Sequence, residues 1–158
     1  MRYWLMKSEP GCFSVDDLAE RPDSTTPWDG VRNYQARNFM RDDMKAGDRV
    51  LFYHSNCEEP GVAGLAEIAC EAYADYTAFN PAEKHYDPKS VPEKPVWMMV
   101  DVKLVDKFDR VVTLKEIKAD DRLSGMELVR KGSRLSVQPV SENEYKTILR
   151  MAGYDEKK

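Results

Sequence analysis

This chain is short of most of the residues that mark an enzyme or a metal site. It has two histidines, His54 and His85, and three widely spaced cysteines, Cys12, Cys57 and Cys70. None of the cysteines forms a Cys-x-x-Cys pair, so neither a zinc site nor a disulfide framework is expected, and the thiols read as buried and free rather than reactive. No apolar run approaches the roughly 20 residues that cross a bilayer. The opening MRYWLMKSEP lacks the longer apolar stretch and small-residue cleavage site of a signal peptide, so the expected compartment is the cytoplasm. There is no glycine-rich phosphate loop and no regular strand–helix alternation, which excludes a dinucleotide fold. Basic residues are also in deficit: 24 Lys and Arg stand against 28 Asp and Glu, for a net charge of −4. Dedicated duplex binders mostly carry a basic surplus, because phosphate contacts supply most of their affinity. Any contact with nucleic acid must therefore run through a local basic face or through the base itself.

What is present describes one globular domain over residues 1–155. Hydrophobic residues make up 42% of the 158 and charged residues 33%, enough for a real core and too apolar for disorder. YWLM at 3–6 reads as a buried strand. SVDD at 14–17 is a capping box that opens a short helix stopped before Pro22. Residues 21–30, RPDSTTPWDG, form a turn-rich loop that is exposed or lines a site. Asn33 has the position of a helix N-cap. Behind it Ala36, Phe39, Met40 and Met44 make an inward stripe, while Arg37, Arg41 and Lys45 share a neighbouring face. Gly47 ends that helix. RVLFYHS at 49–55 is apolar on both faces, hence a central strand. VAGLAEIAC at 62–70 returns from a hairpin, and its small residues Ala63, Gly64 and Ala66 predict close approach of another backbone or of a ligand. Residues 80–95 are an irregular excursion. A strand from Trp97 to Val105, a short helix at 113–118, a strand at 134–140 and a capped helix at 141–153 complete the chain. The predicted class is α+β: a small, curled, mostly antiparallel sheet or barrel flanked by short helices.

Catalytic groups do not assemble from the sequence. Asp17 is spent as a cap, beside Asp16. His54, which could pair with Cys57 or Cys12, lies on a strand alternating with Val50 and Phe52, where a hydrogen-bonded, half-buried histidine is the expected role. Binding groups do cluster. KSEP at 7–10, WDGVRN at 28–33 and YHS at 53–55 are strand ends and turns that set polar residues beside aromatics, which is what a small-molecule or base pocket needs. Trp28 offers a stacking surface or packs in the core. Asn33 carries donor and acceptor together.

YWLMKSEP, followed by WDGVRNYQARNFMRDDMKAGDRVLFYHS and GVAGLAEI, resembles the EVE domain, a branch of the PUA-like superfamily. The likeness continues through YADYTAFNP, YDP, WMMVDV and RLSVQPV over about residues 2–150, and it is to single-domain members of the kind found in bacteria. The resemblance implies a small pseudo-barrel flanked by helices and related to the YTH readers of methylated adenine. It implies recognition of a modified nucleobase, modified cytosine above all, in DNA or RNA, with no catalytic residues, cofactor, metal or membrane partner. It places Lys7, Ser8, Glu9 and Pro10 on one wall of the pocket, Trp28, Val31, Arg32 and Asn33 on the second, Tyr53, His54 and Ser55 on the third, and Asp87 at the rim. Trp28 would stack on the base, and Asn33 would read it or cap the helix. Arg32 would hold phosphate, with Arg37, Arg41 and Lys45 as further phosphate contacts or as a solvated face paired with Asp42 and Asp43. Two rival readings stand beside this one: an enzyme acting on a free nucleobase, nucleoside or small amide with Glu9 or His54 as base, and a small-ligand or protein-interaction module.

Overall fold

The computed structural model describes residues 1–156. Six strands carry the fold: β1 (Tyr3–Ser8), β2 (Thr25–Pro27), β3 (Arg49–His54), β4 (Gly61–Ala74), β5 (Met98–Thr113) and β6 (Val137–Val140), with helices α1 (Val15–Glu20), α2 (Tyr34–Asn38), α3 (Leu114–Ala119) and α4 (Glu142–Met151). The strands form one sheet in the order β2-β5-β4-β3-β1-β6. All its pairings are antiparallel except β1 with β3, whose register runs from Tyr3 opposite Arg49 to Ser8 opposite His54.

Alternation along the central strands builds two cores. Trp4, Met6, Val50 and Phe52 face one side with Val15 and Leu18 of α1 and Ala36 of α2. Leu5, Leu51, Tyr53 and Val62 face the other, against Ile117 of α3 and Tyr145, Ile148 and Leu149 of α4. This is why the 49–55 segment reads as apolar on both faces: helices cover both sides of its strand. The α+β class holds, but the sheet is open, with β2 and β6 at its edges and side chains filling both faces; it does not close into the expected barrel.

Local signals fix most element starts. Ser14 accepts from the Asp17 amide while the Asp17 carboxylate accepts from the Ser14 amide, and Ser141 with Glu144 repeats the device. The Asn33 side chain accepts from Ala36 N at 3.0 Å. The helix it caps is shorter than its stripe predicts. After Asn38 the chain widens into a π-turn, Phe39–Asp43, closed by Met44 N donating to Phe39 O at 3.0 Å. Met40 and Met44 still reach the core, but Lys45 lies beyond the helical turns, so the continuous face expected of Arg37, Arg41 and Lys45 does not form.

The close approach predicted at Ala63–Ala66 is made by a neighbouring strand. A Cβ on Gly64 would stand 2.9 Å from Asp106 O on β5 and 3.0 Å from Val15 Cγ2. The late strand is shorter than expected, beginning only at Val137, with Gly132 turned to φ +81° ahead of it. The cysteines correct a further expectation: Cys12 and Cys70 are exposed and Cys57 is half-buried. Cys12 lies in the turn after β1 and Cys70 beside a break in the β4–β5 register, and neither position faces a core.

Candidate functional site

Because β1 and β3 are parallel, their ends emerge side by side and leave polar residues at one edge of the molecule. The chain turns sharply after β1, with Cys12 N and Phe13 N both donating to Glu9 O at 2.9 and 2.8 Å. It returns as the 21–30 loop. Between the turn and the loop lies a cleft of about 350 Å³, near the lower end of typical ligand-site volumes. Lys7, Ser8 and Glu9 form one wall with Cys12 and Phe13; Arg21, Thr26, Pro27, Trp28 and Asp29 form the other; Lys84 and His85 make the rim.

Trp28 does both of the things its sequence context allows. It is 8% exposed and packs edge-on against Phe52, with ring centroids 5.6 Å apart, and it also lines the cleft. Its backbone N–H donates to Val100 O at 2.8 Å, which moors the loop to β5. Among the described residues its indole N–H has no partner, whereas Trp4 Nε1 donates to Asp48 at 3.0 Å and Trp97 Nε1 to Asp87 at 2.7 Å. Asp29 is exposed and its carboxylate is likewise unpartnered among the described residues. Lys7 lies with its Nζ 5.8 Å from the Tyr53 ring, and burial lowers its pKa while Glu127 opposes the shift. The Glu9 carboxylate accepts from Asn56 Nδ2 at 2.8 Å. The Ser8 hydroxyl donates to Phe13 O, leaving only its lone pairs for a ligand.

Several predicted residues lie elsewhere. Pro10 is not on the lining. Val31 is buried in the first core and Tyr53 in the second, where burial pushes its phenol up to about 12. His54 Nε2 accepts from Val15 N at 3.0 Å, so the ring is neutral there, and burial lowers its pKa further. It holds the start of α1, as a structural histidine would. Ser55 N donates to Ser8 O at 2.9 Å and extends the β1–β3 ladder. Asn33 lines a neighbouring cleft instead. Asp87 does not close the rim: it accepts from Trp97 Nε1 and from Lys89 N, and these bonds hold its carboxyl below the usual range.

The phosphate assignments change most. Arg32 Nη1 donates to Asp75 Oδ2 at 2.9 Å, and Nε and Nη2 both donate to His85 O, at 3.1 and 2.7 Å. Asp75 is wholly buried and also accepts from Gly30 N, Thr77 N and Thr77 Oγ1. Burial pushes its pKa up, but those hydrogen bonds and the Arg32 charge outweigh it and hold the carboxyl below the usual range. Arg32 therefore clamps the 76–96 excursion to the Trp28 loop. Gly30 makes the junction tight: it sits at φ +80°, and a Cβ there would lie 2.7 Å from the His85 ring. Arg37 donates to Asn38 Oδ1 and Val96 O, and Arg41 is paired in-line with Asp42. Of the four expected phosphate contacts, only Lys45 has a side chain without a partner among the described residues.

Sequence reasoning missed Asp29, Lys84, His85 and Asp75. Asp29 stands inside the WDGVRN motif, and its position beside Trp28 was the available signal. Nothing local marks the other three.

A mixed sheet with short helices and an aromatic-walled cleft at its strand ends places the protein in the PUA-like class. In fold it is similar to the YTH domain of the Zygosaccharomyces rouxii MRB1 protein, solved in complex with N6-methyladenosine RNA, at a TM-score of 0.56 and 14% identity over 99% of this chain and 87% of that one. More narrowly, the chain belongs to the EVE domain family, whose model matches residues 2–151. It is 46% identical to human thymocyte nuclear protein 1 over 93% of this chain and 72% of that protein. It superposes at a TM-score of 0.91 on human THYN1 protein in complex with 5-methylcytosine-containing DNA, at 44% identity over 98% of this chain and 99% of that one. A hypothetical protein from Leishmania major gives the same TM-score, 0.91, at 56% identity over 97% and 95% of the two chains.

Proposed function

We propose that this protein is a non-enzymatic binding module that takes a modified nucleobase, modified cytosine above all, from DNA or RNA into the Trp28 cleft. The observation that carries the reading is an indole on the wall of an open, base-sized cleft, beside a donor and an acceptor without partners among the described residues: the Trp28 N–H and the Asp29 carboxylate. A carboxylate suits the exocyclic amine of cytosine, and the Lys7 amine and indole N–H suit its O2 and N3. The complex of human THYN1 protein with 5-methylcytosine-containing DNA supports the choice of base. The enzymatic alternative loses support because His54, one of its two candidate bases, has its Nε2 lone pair taken by the Val15 amide.

A base inside a duplex must be extruded to enter, at a cost of a few kcal/mol. Stacking returns roughly 1–3 kcal/mol. Burying one added methyl contributes about 0.8 kcal/mol, close to fourfold in affinity. The expected preference for a 5-methylated over an unmodified cytosine is therefore modest. Titration of the wild-type protein with single-stranded oligonucleotides that differ only at one cytosine, followed by indole fluorescence at fixed salt, tests it. Tighter binding of the modified strand is expected. An equal response to every modified and unmodified strand overturns the reading.

A further inference from the structure

The cations expected to meet phosphate are mostly engaged within the protein, so any phosphate contact has to come from elsewhere. One segment supplies it. Between the single turn at Glu127–Val129 and β6 the chain reads Arg130-Lys131-Gly132-Ser133-Arg134, three cations in five residues of an acidic protein. Arg130 pairs with the Glu127 carboxylate at 3.3 Å. Lys131 and Arg134 are exposed and have no hydrogen bond or ion pair among the described residues. Arg130, Gly132, Ser133 and Arg134 line a cleft of about 260 Å³, separate from the Trp28 cleft, with Asn33 and Gln35 on its far side and Glu127 beside Arg130; Lys131 stands just outside the lining. Two groups there point to a ligand. The Ser133 hydroxyl is buried without a partner among the described residues. Asn33 gives its side-chain oxygen to the α2 cap, which leaves its amide N–H donors unused.

One segment serves both clefts. The 28–33 segment contributes Trp28 and Asp29 to the first and Asn33 to the second. Lys7, on the first wall, donates its backbone N–H to Ser136 O at 2.8 Å, just past the basic loop. We propose that the Arg130–Arg134 loop and the Asn33 amide form a phosphodiester cleft that holds the backbone beside the base seated against Trp28. The proposal rests on the base-binding reading and adds to it the path of the strand. Arg134 supplies charge on the lining and Lys131 from the exposed lip beside it, the Ser133 hydroxyl and Asn33 amide supply donors, and the site reads no sequence. DNA and RNA share this chemistry.

The test compares one 5-methylcytosine-containing single-stranded DNA oligonucleotide, its RNA counterpart and the free nucleoside 5-methyl-2′-deoxycytidine, which has no phosphate. Lys131→Ala and Arg134→Ala should weaken both oligonucleotides. The ratio of wild-type to variant affinity should shrink about threefold per cation as salt rises from about 50 to about 200 mM. The preference for methylated over unmodified cytosine, the melting temperature and the nucleoside-induced amide shifts around Trp28 should not change. Oligonucleotide, but not nucleoside, should also shift the Gly132 and Ser133 amides. Arg41→Ala, whose partner is Asp42, serves as the control with an unchanged salt slope. If wild type binds the oligonucleotides while Lys131→Ala and Arg134→Ala match it in affinity and salt slope, the phosphodiester cleft is wrong and the base pocket stands. If wild type binds no oligonucleotide at all, both fall together. A loss confined to DNA or to RNA keeps the cleft and names its strand.

Discussion

Replacing Arg32 by alanine separates a structural clamp from a nucleic-acid contact. In the folded protein the guanidinium faces the Asp75 carboxylate, which is fully buried, and the carbonyl of His85. Removing one partner of a buried ion pair costs about 3–5 kcal/mol, because the other charge is left uncompensated in a poorly polarisable surround. Asp75 keeps its bonds from Gly30 N, Thr77 N and Thr77 Oγ1, so the lower end, about 3 kcal/mol, is expected. For a domain of this size that corresponds to a fall in melting temperature of about 6–12 °C. The Asp75 carboxyl is held below its ordinary value in the fold. Its contribution to stability is therefore full above the unfolded carboxyl range and is lost as pH falls through the lowered folded value. Without Arg32 that folded value rises, so the pH-dependent contribution is smaller and its loss is complete at a higher pH. Thermal unfolding followed by circular dichroism across pH 3–7 measures both effects, and salt titration of oligonucleotide binding supplies the contrast. A variant that melts within about 2 °C of wild type and loses the salt dependence of one phosphate would refute the clamp and restore Arg32 as a backbone contact.

Other substitutions probe the same architecture. Trp28→Ala should cost about 3–5 kcal/mol in denaturant unfolding as well as binding, because the ring packs on Phe52 while lining the cleft; loss of binding at unchanged stability would place the ring outside the core. Gly30→Ala should displace the His85 ring, lowering oligonucleotide affinity and costing about 1 kcal/mol or more of stability from the positive φ alone, and an unchanged affinity would show that the rim is dispensable. Stability supplied by His54 should be full above 6.5 and decline as pH falls below it towards the lowered folded value, since the unfolded state takes up the proton first; a His54→Ala variant with the same pH profile as wild type would contradict this.

What could be read from the sequence was local. Ser14 with Asp17 and Ser141 with Glu144 satisfy backbone groups three residues away, so the cap and its partner lie in one short window. The doubly apolar 49–55 run marks a strand between two layers because alternation records burial directly. Trp28 stood out as an aromatic in a turn-rich loop, and that loop does line the cleft. The readings that failed depended on distant partners or on a break in periodicity. Arg32 finds Asp75 and His85 more than forty residues away, and no spacing rule links them. One π-turn moved Lys45 off the face it was expected to share with Arg37 and Arg41. His54 and Tyr53 adjoin the cleft in sequence register yet point into the protein, because the parity of a strand is fixed by both of the cores it serves.

The grip on the 76–96 excursion has a consequence for how such a protein diversifies. Arg32 holds His85 by its main-chain oxygen, and Asp75 holds Gly30 by its main-chain nitrogen. Attachment is thus indifferent to most side chains at positions 84 and 85, which form the lip over the opening. That lip can be exchanged residue by residue, altering what is admitted, while the latch beneath it and the stacking surface opposite stay as they are.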